Sequence, residues 1–407
     1  MITASLKKST LAAPVTGLEN ATRISSIDFL RGLVMVIMVL DHVRAFFHVD
    51  AHIQDPMNMD TTTPALFFTR WITHFCAPTF VFISGISAYK AGEKSRSTKE
   101  LSLFLLSRGL WLMFLEITII TFGLTFDIYY RMFVLQVIWA IGVSMVVLAG
   151  LVFLPRAAIL TFGVLLVIGH NLLDSVQVTT APLNYLWSAL HVPGMLHPDP
   201  DFMVFLVYPV LPWIGLMALG FYAGKLYQFG FDARLRRRIL IMAGLGCMAL
   251  FLLLRFTQAY GDNQEFESQS AIWKSVYDFL NTTKYPPSFH FLLMTLGPAL
   301  LLLALSENFR FKVAVVLVTI GRVPLFFYVL HIYLIHALAY FTALASGYTW
   351  HDIQTSQNFG SLPAGFGYSL GSVYVFWALV LLLLYPLCKW FAKYKARHRN
   401  NPFLSYL

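Results

Sequence analysis

Five ionisable side chains interrupt one apolar stretch, SIDFLRGLVMVIMVLDHVRAFF (Ser26–Phe47): Asp28, Arg31, Asp41, His42 and Arg44. An imidazole is the commonest general base in proteins, and a neighbouring carboxylate can orient it. A guanidinium grips carboxylates and phosphates through paired hydrogen bonds. Arg31 and His42 lie eleven residues apart, about 1100° of helix, so roughly 20° from a whole number of turns with a rise of about 16 Å. One helix face therefore presents a cation at one depth and an imidazole at another. Asp28 and Arg31, three residues apart, are spaced to pair. In hydrocarbon each such group costs several kcal/mol unless it faces a polar interior.

The elements that must hold these groups are membrane helices. Of 407 residues 58% are hydrophobic, 16% aromatic and only 12% charged, against about 25% charged in a soluble domain. Ten apolar stretches approach the length of a span: 29–49, 64–89, 101–125, 132–154, 157–174, 202–224, 239–257, 287–306, 322–346 and 367–390. Val313–Gly321 suggests an eleventh, broken span, and Leu183–Val192 an interfacial helix. The expectation is an all-α polytopic membrane protein: a tail at 1–23, one membrane domain at 24–395 and a tail at 396–407. With the N-terminus in the cytoplasm, 21 of the 29 Lys and Arg residues fall on the cytoplasmic side. That bias places both termini there. The net charge of +9 is dispersed between spans rather than gathered in one patch, so nucleic acid is not the expected partner; the lipid bilayer is. Cys76, Cys247 and Cys388 all sit in apolar runs, which argues against a disulfide framework or a metal cluster. No cleaved leader is evident, and short loops favour a bacterial inner membrane.

Other spans add polar groups at middle and outer depths: His74, Glu116, His170, His290, Tyr328, His331 and His336. Each has a plain structural reading. His170, His290 and His336 suit hydrogen bonding between helices, Arg44 and Arg70 suit snorkelling to the outer interface, and Glu116 suits a helix-holding pair with Arg31 or Arg108. Ser84 and Gly85 in "FVFISG" suit close helix packing. His42, flanked by Asp41 and in phase with Arg31, fits a structural role least well.

The run "RISSIDFLRGLVMVIMVLDHVRAFF" and the later "RWITHFCAPTFVFISGISAY" resemble the amino-terminal part of the heparan-α-glucosaminide N-acetyltransferase catalytic-domain family. The resemblance rests on Ser26, Asp28, Arg31 and Gly32, then Pro78, Phe80, Phe82 and Gly85, and is close over 23–90. More distantly the chain is similar to membrane O-acyltransferases of surface glycans, which share the Arg31–His42 spacing. It departs from the first family at His74, where an Asp is usual, and at Pro64, near the family's proposed catalytic histidine. The nearest candidates there are His48 and His52. The resemblance implies acyl transfer, in the first place of acetyl, from cytoplasmic acyl-CoA to a sugar or other amino- or hydroxyl-bearing acceptor across the membrane. It implies no metal. Arg31, Asp28, Arg108 and Arg322 would meet the anionic donor. His42 would act as base, oriented by Asp41 or Glu116, with His48, His52 and His74 in reserve. His331 and Tyr328 would hold the thioester oxygen or the acceptor, with Arg70, His48 and His52 on the acceptor side. A covalent acyl-histidine, a homo-oligomer and the acceptor's identity stay open. The alternative is a proton-coupled transporter or lipid flippase, against which stands the lack of repeat halves.

Overall fold

In the computed structural model the described residues are 25–407, apart from 52, 270, 310, 357–358, 399–400, 402–403 and 405–407. His52 and the tail at 1–23 lie outside them. The chain opens with α1 (Ser25–Phe47), and Thr63 caps α2 (Pro64–Trp71), which passes through a tight turn into α3 (Cys76–Gly92). α4 (Thr98–Leu115) ends in a π-helical turn, Glu116–Ile120, before α5 (Thr121–Thr125). There follow α6 (Val137–Leu151), α7 (Arg156–Gly169), α8 (Leu183–Leu190), α9 (Leu211–Ala223) and α10 (Ala233–Thr257). The last third holds α11 (Ile272–Leu280), α12 (Phe289–Leu305), α13 (Lys312–Gly321), α14 (Pro324–Ala345), α15 (Trp350–Thr355) and α16 (Leu370–Arg397).

Among the described residues six helical segments are long and apolar enough to cross a membrane: Pro64–Gly92, Thr98–Thr125, Arg156–Leu173, Ala233–Thr257, Pro324–Ala345 and Leu370–Arg397. Three further apolar helices, α6, α12 and α13, are shorter. The helix α8 forms where an interfacial helix was expected. α13 stands apart from α14, the chain bending at Arg322 and Val323 before Pro324 opens the new helix.

The all-α expectation needs one correction. Two of the expected spans open with strands: β1 (Met132–Leu135) precedes α6, and β3 (Phe202–Leu206) precedes α9. With β2 (Gly194–Asp199) they form a small sheet in the order β1-β3-β2, β1 parallel and β2 antiparallel to β3. An apolar run shows where a chain is buried; it does not separate a strand from the helix that continues it.

α1 is a central helix rather than a lipid-facing one. It packs against α3, α12, α13, α14 and α16, and every eighteen-residue stretch of it contains at least three of Asp28, Arg31, Asp41 and Arg44. The approach of α13 is so close that a Cβ on Gly32 would sit 1.9 Å from the Leu317 carbonyl oxygen, and one on Gly321 1.9 Å from that of Asp28. Gly85 and Gly220 do the same for α3 and α9: a Cβ at either would meet backbone oxygen at 2.2 and 2.1 Å. Small residues at crossings let membrane helices gain close van der Waals contact.

Candidate active site

The N-terminal end of α1 carries a closed polar cluster. Arg31 donates to Asp28 Oδ1 at 3.2 Å, to the Gly321 carbonyl at 3.1 Å and to Ser87 Oγ on α3 at 2.9 Å. The Gly32–Gly321 contact that brings α13 alongside is what delivers that carbonyl. Arg322, half-exposed, lies 3.8 Å from Asp28 Oδ2. Of the four expected donor-binding residues, Asp28, Arg31 and Arg322 are thus brought together. Arg108 lies on α4, which packs mainly against α6.

Three turns further along α1 a cavity of about 280 Å³ opens. α1 contributes Met38, Asp41, His42 and Arg44, and α3 contributes Cys76, Ala77 and Phe80. Arg31 reaches Ser87 on α3, and His42 lines a cavity that α3 shares. The cavity ends at Met38, seven residues or about 10 Å of helix from Arg31. Arg70, in the last turn of α2, and Arg44 both donate to Asp41, Arg44 at 3.2 Å. The two arginines read as snorkelling toward an interface are instead turned onto one carboxylate. Asp41 consequently holds arginines rather than the imidazole next to it.

His331 on α14 meets that imidazole. His42 Nδ1 and His331 Nε2 are 2.7 Å apart, with the rings stacked at 4.9 Å and 11°. His331 is fully buried, and its Nδ1 lies 3.2 Å from the Phe327 carbonyl. A carbonyl only accepts, so in the neutral ring His331 Nδ1 carries the hydrogen and Nε2 offers a lone pair. His42 Nδ1–H must then donate to it. The consequence is a fixed tautomer in which the remaining lone pair of His42 is on Nε2, and His42 lines the cavity. Tyr328 packs edge-on to both rings, at 6.5 and 5.2 Å.

The remaining expected residues are placed as follows. Glu116, fully buried in the π-helical turn, accepts the Gln136 backbone N–H at 2.6 Å and so ties α4 to the start of α6 under the cavity. His74 is buried between α2 and α3 against Phe291, and its Nδ1 has no partner among the described residues. His48 follows the end of α1, accepts the Asp50 N–H at 3.3 Å and is not among the residues lining the cavity. His170 and His336 each lie between backbone carbonyls of different segments, a neutral ring donating to one of them.

Among the cavity residues that escaped sequence reasoning are Gln136, Tyr208, Lys284 and Tyr285. Gln136 is the one amide in an apolar run, and Lys284 stands before the Pro286–Pro287 pair in a region otherwise rich in acidic residues; those were the available signals. The loop carrying Lys284 is anchored firmly. Asp262 accepts from Thr283 Oγ1 at 2.6 Å and from Ser288 Oγ at 2.7 Å, on either side of it. Fully buried Arg255 donates to four backbone carbonyls, those of Gln264, Asp278, Phe279 and Asn281.

The family model described as "Heparan-alpha-glucosaminide N-acetyltransferase, catalytic" matches residues 23–253, more than half of the chain. The chain belongs to that family. Membership, together with the six apolar segments, makes it an integral membrane protein of an acetyltransferase family. No curated protein matches the chain. The matched region holds Arg31, His42, Arg70 and Glu116, whereas Lys284, Arg322, Tyr328 and His331 lie beyond it. The stacked histidine pair thus joins a residue inside the match to one outside it.

Proposed function

We propose that the protein transfers an acyl group, in the first place acetyl, from acyl-CoA in the cytoplasm to a hydroxyl or amine of a glycan acceptor on the other side of the membrane. The observation that carries this reading is the His42–His331 pair, which leaves a nitrogen lone pair on a ring that lines a cavity. Family membership supports acetyl-CoA as donor, and the distribution of basic residues supports cytoplasmic termini, with the Arg31 end of α1 toward the cytoplasm. Ten spans in a bacterial inner membrane fit that topology, whereas an eleventh at α13 would put the termini on opposite sides.

In this mechanism donor phosphates meet the Asp28–Arg31–Arg322 cluster and the thioester reaches His42 past Met38. His42 Nε2 takes the proton from the acceptor as its oxygen or nitrogen attacks the thioester carbonyl carbon. The C–S bond breaks, and the CoA thiolate leaves with the proton returned by the imidazolium. General-base assistance of this kind is worth about 10²–10⁴ in rate. His331 stabilises the imidazolium by keeping its lone pair on His42 Nδ1–H. Tyr328 packs against both imidazoles, Glu116 holds the backbone of Gln136 in the cavity wall, and His74 is the alternative base.

The test uses purified protein in proteoliposomes with radiolabelled acetyl-CoA and a panel of amino sugars and sugar alcohols. Label should move to an acceptor, and CoA should raise the melting temperature. If no thioester is cleaved and CoA leaves the melting temperature unmoved, acyl transfer is wrong. Accumulation of a labelled solute inside the vesicles would then point to transport.

A further inference from the structure

The cavity beside His42 is lined by Arg44, Arg70 and Lys284 but by a single carboxylate, Asp41. Both arginines use that carboxylate. Lys284 makes no ion pair among the described residues; its ammonium lies 5.1 Å from the centre of the Tyr285 ring. Arg44 is 7% exposed, and its Nε is buried with no hydrogen-bond partner. Among the lining residues positive charges therefore outnumber negative ones by two. Removing a charge from water costs several kcal/mol unless an opposite charge answers it. The protein also invests in holding this arrangement, because the Asp262 and Arg255 networks fix the loop that brings Lys284 to the cavity wall.

We propose that this cavity is an anion subsite, in which Arg44, Arg70 and Lys284 take a carboxylate or phosphate borne by the acceptor. This rests on reading the cavity as the acceptor side of the transfer. The anion completes the charge balance that Asp41 alone leaves open, and fork-shaped guanidinium groups suit either oxyanion. The same field repels a protonated amine, so an amino acceptor enters with its nitrogen neutral, in the form that attacks a thioester. A neutral sugar leaves the two excess charges unanswered and binds weakly.

The experiment measures binding to the full-length protein in nanodiscs, without acyl-CoA, by calorimetry. The probes are galactose, galacturonic acid and galactose 1-phosphate. Both acids, or one of them, should bind at least about tenfold tighter than galactose, with an affinity that falls as salt rises. A preference for galacturonic acid assigns a carboxylate, and a preference for galactose 1-phosphate assigns a phosphate. Lys284→Gln should erase about tenfold of the acid's affinity while galactose binding and the melting temperature stay as they were. Equal affinities for acid and neutral sugar, no measurable binding of either acid, or an unchanged Lys284→Gln variant would overturn the subsite. Acyl transfer can survive that result. Conversely, charge-selective binding by a protein that never cleaves acetyl-CoA would keep the subsite and sink acyl transfer.

Discussion

Asp28–Arg31 and Asp41–Arg44 are the same device built twice on α1, each an i, i+3 pair closed at 3.2 Å. They sit thirteen residues apart, about 220° around the helix, and so address different neighbours. Arg31 is held by protein on every side, through Asp28, the Gly321 carbonyl and Ser87. Asp41 is shared by two arginines at the wall of a cavity, with His42 between its own carboxylate and Arg44 in the chain. An identical pair can thus lock one helix to another or charge a binding site. The difference lies in what the surrounding helices offer, not in the pair.

That contrast can be broken most sharply at the carboxylates. Asp41→Ala strands two largely buried guanidinium groups, and breaking a buried pair in this way costs about 3–5 kcal/mol. Asp28→Ala leaves Arg31 its carbonyl and hydroxyl acceptors and Arg322 its solvent, so about 1–3 kcal/mol is expected. Chemical unfolding in mixed micelles checks the order, and equal losses would erase the distinction. Next comes Gly32→Ala, whose Cβ would meet the Leu317 carbonyl. Overpacking costs about 1–3 kcal/mol, and the carbonyl given to Arg31 should move with α13. Acyl-CoA affinity should fall along with stability. The smallest effect is expected from Arg31→Lys, which keeps the charge but loses the fork. It should raise KM for acyl-CoA about tenfold with kcat nearly unchanged, since one lost charge-assisted hydrogen bond is worth about 1.5 kcal/mol or more. A fall in kcat alone would contradict a binding role.

Much of this was legible in α1 itself. The phase of Arg31 and His42 follows from helix geometry; Arg31 reaches α3, and His42 lines a cavity that α3 shares. The role of Gly85 in packing, the break at Arg322 and the helix at 183–190 were also readable from local pattern. Three features were not. Strands β1 and β3 run without interruption into apolar helices and pair across about seventy residues, so no local periodicity marks them. Asp41 sits next to His42 in the chain, yet side chains at adjacent helix positions point about 100° apart. The partner that orients the imidazole comes instead from α14, 289 residues away. Lys284 and Tyr285 reach the cavity only because a loop anchored by Asp262 folds over it, which is tertiary information.

The central claim is that His42 is the base and that His331 sets its tautomer. Single-turnover acyl transfer by His42→Ala, His331→Ala and the double variant tests this most directly. A loss of about 10²–10⁴ is expected for His42→Ala and a smaller one for His331→Ala. The double variant should be no slower than His42→Ala, because the two residues act as a unit, and all three should melt within a few degrees of the parent. Full activity in His42→Ala, or losses that multiply in the double variant, would contradict it.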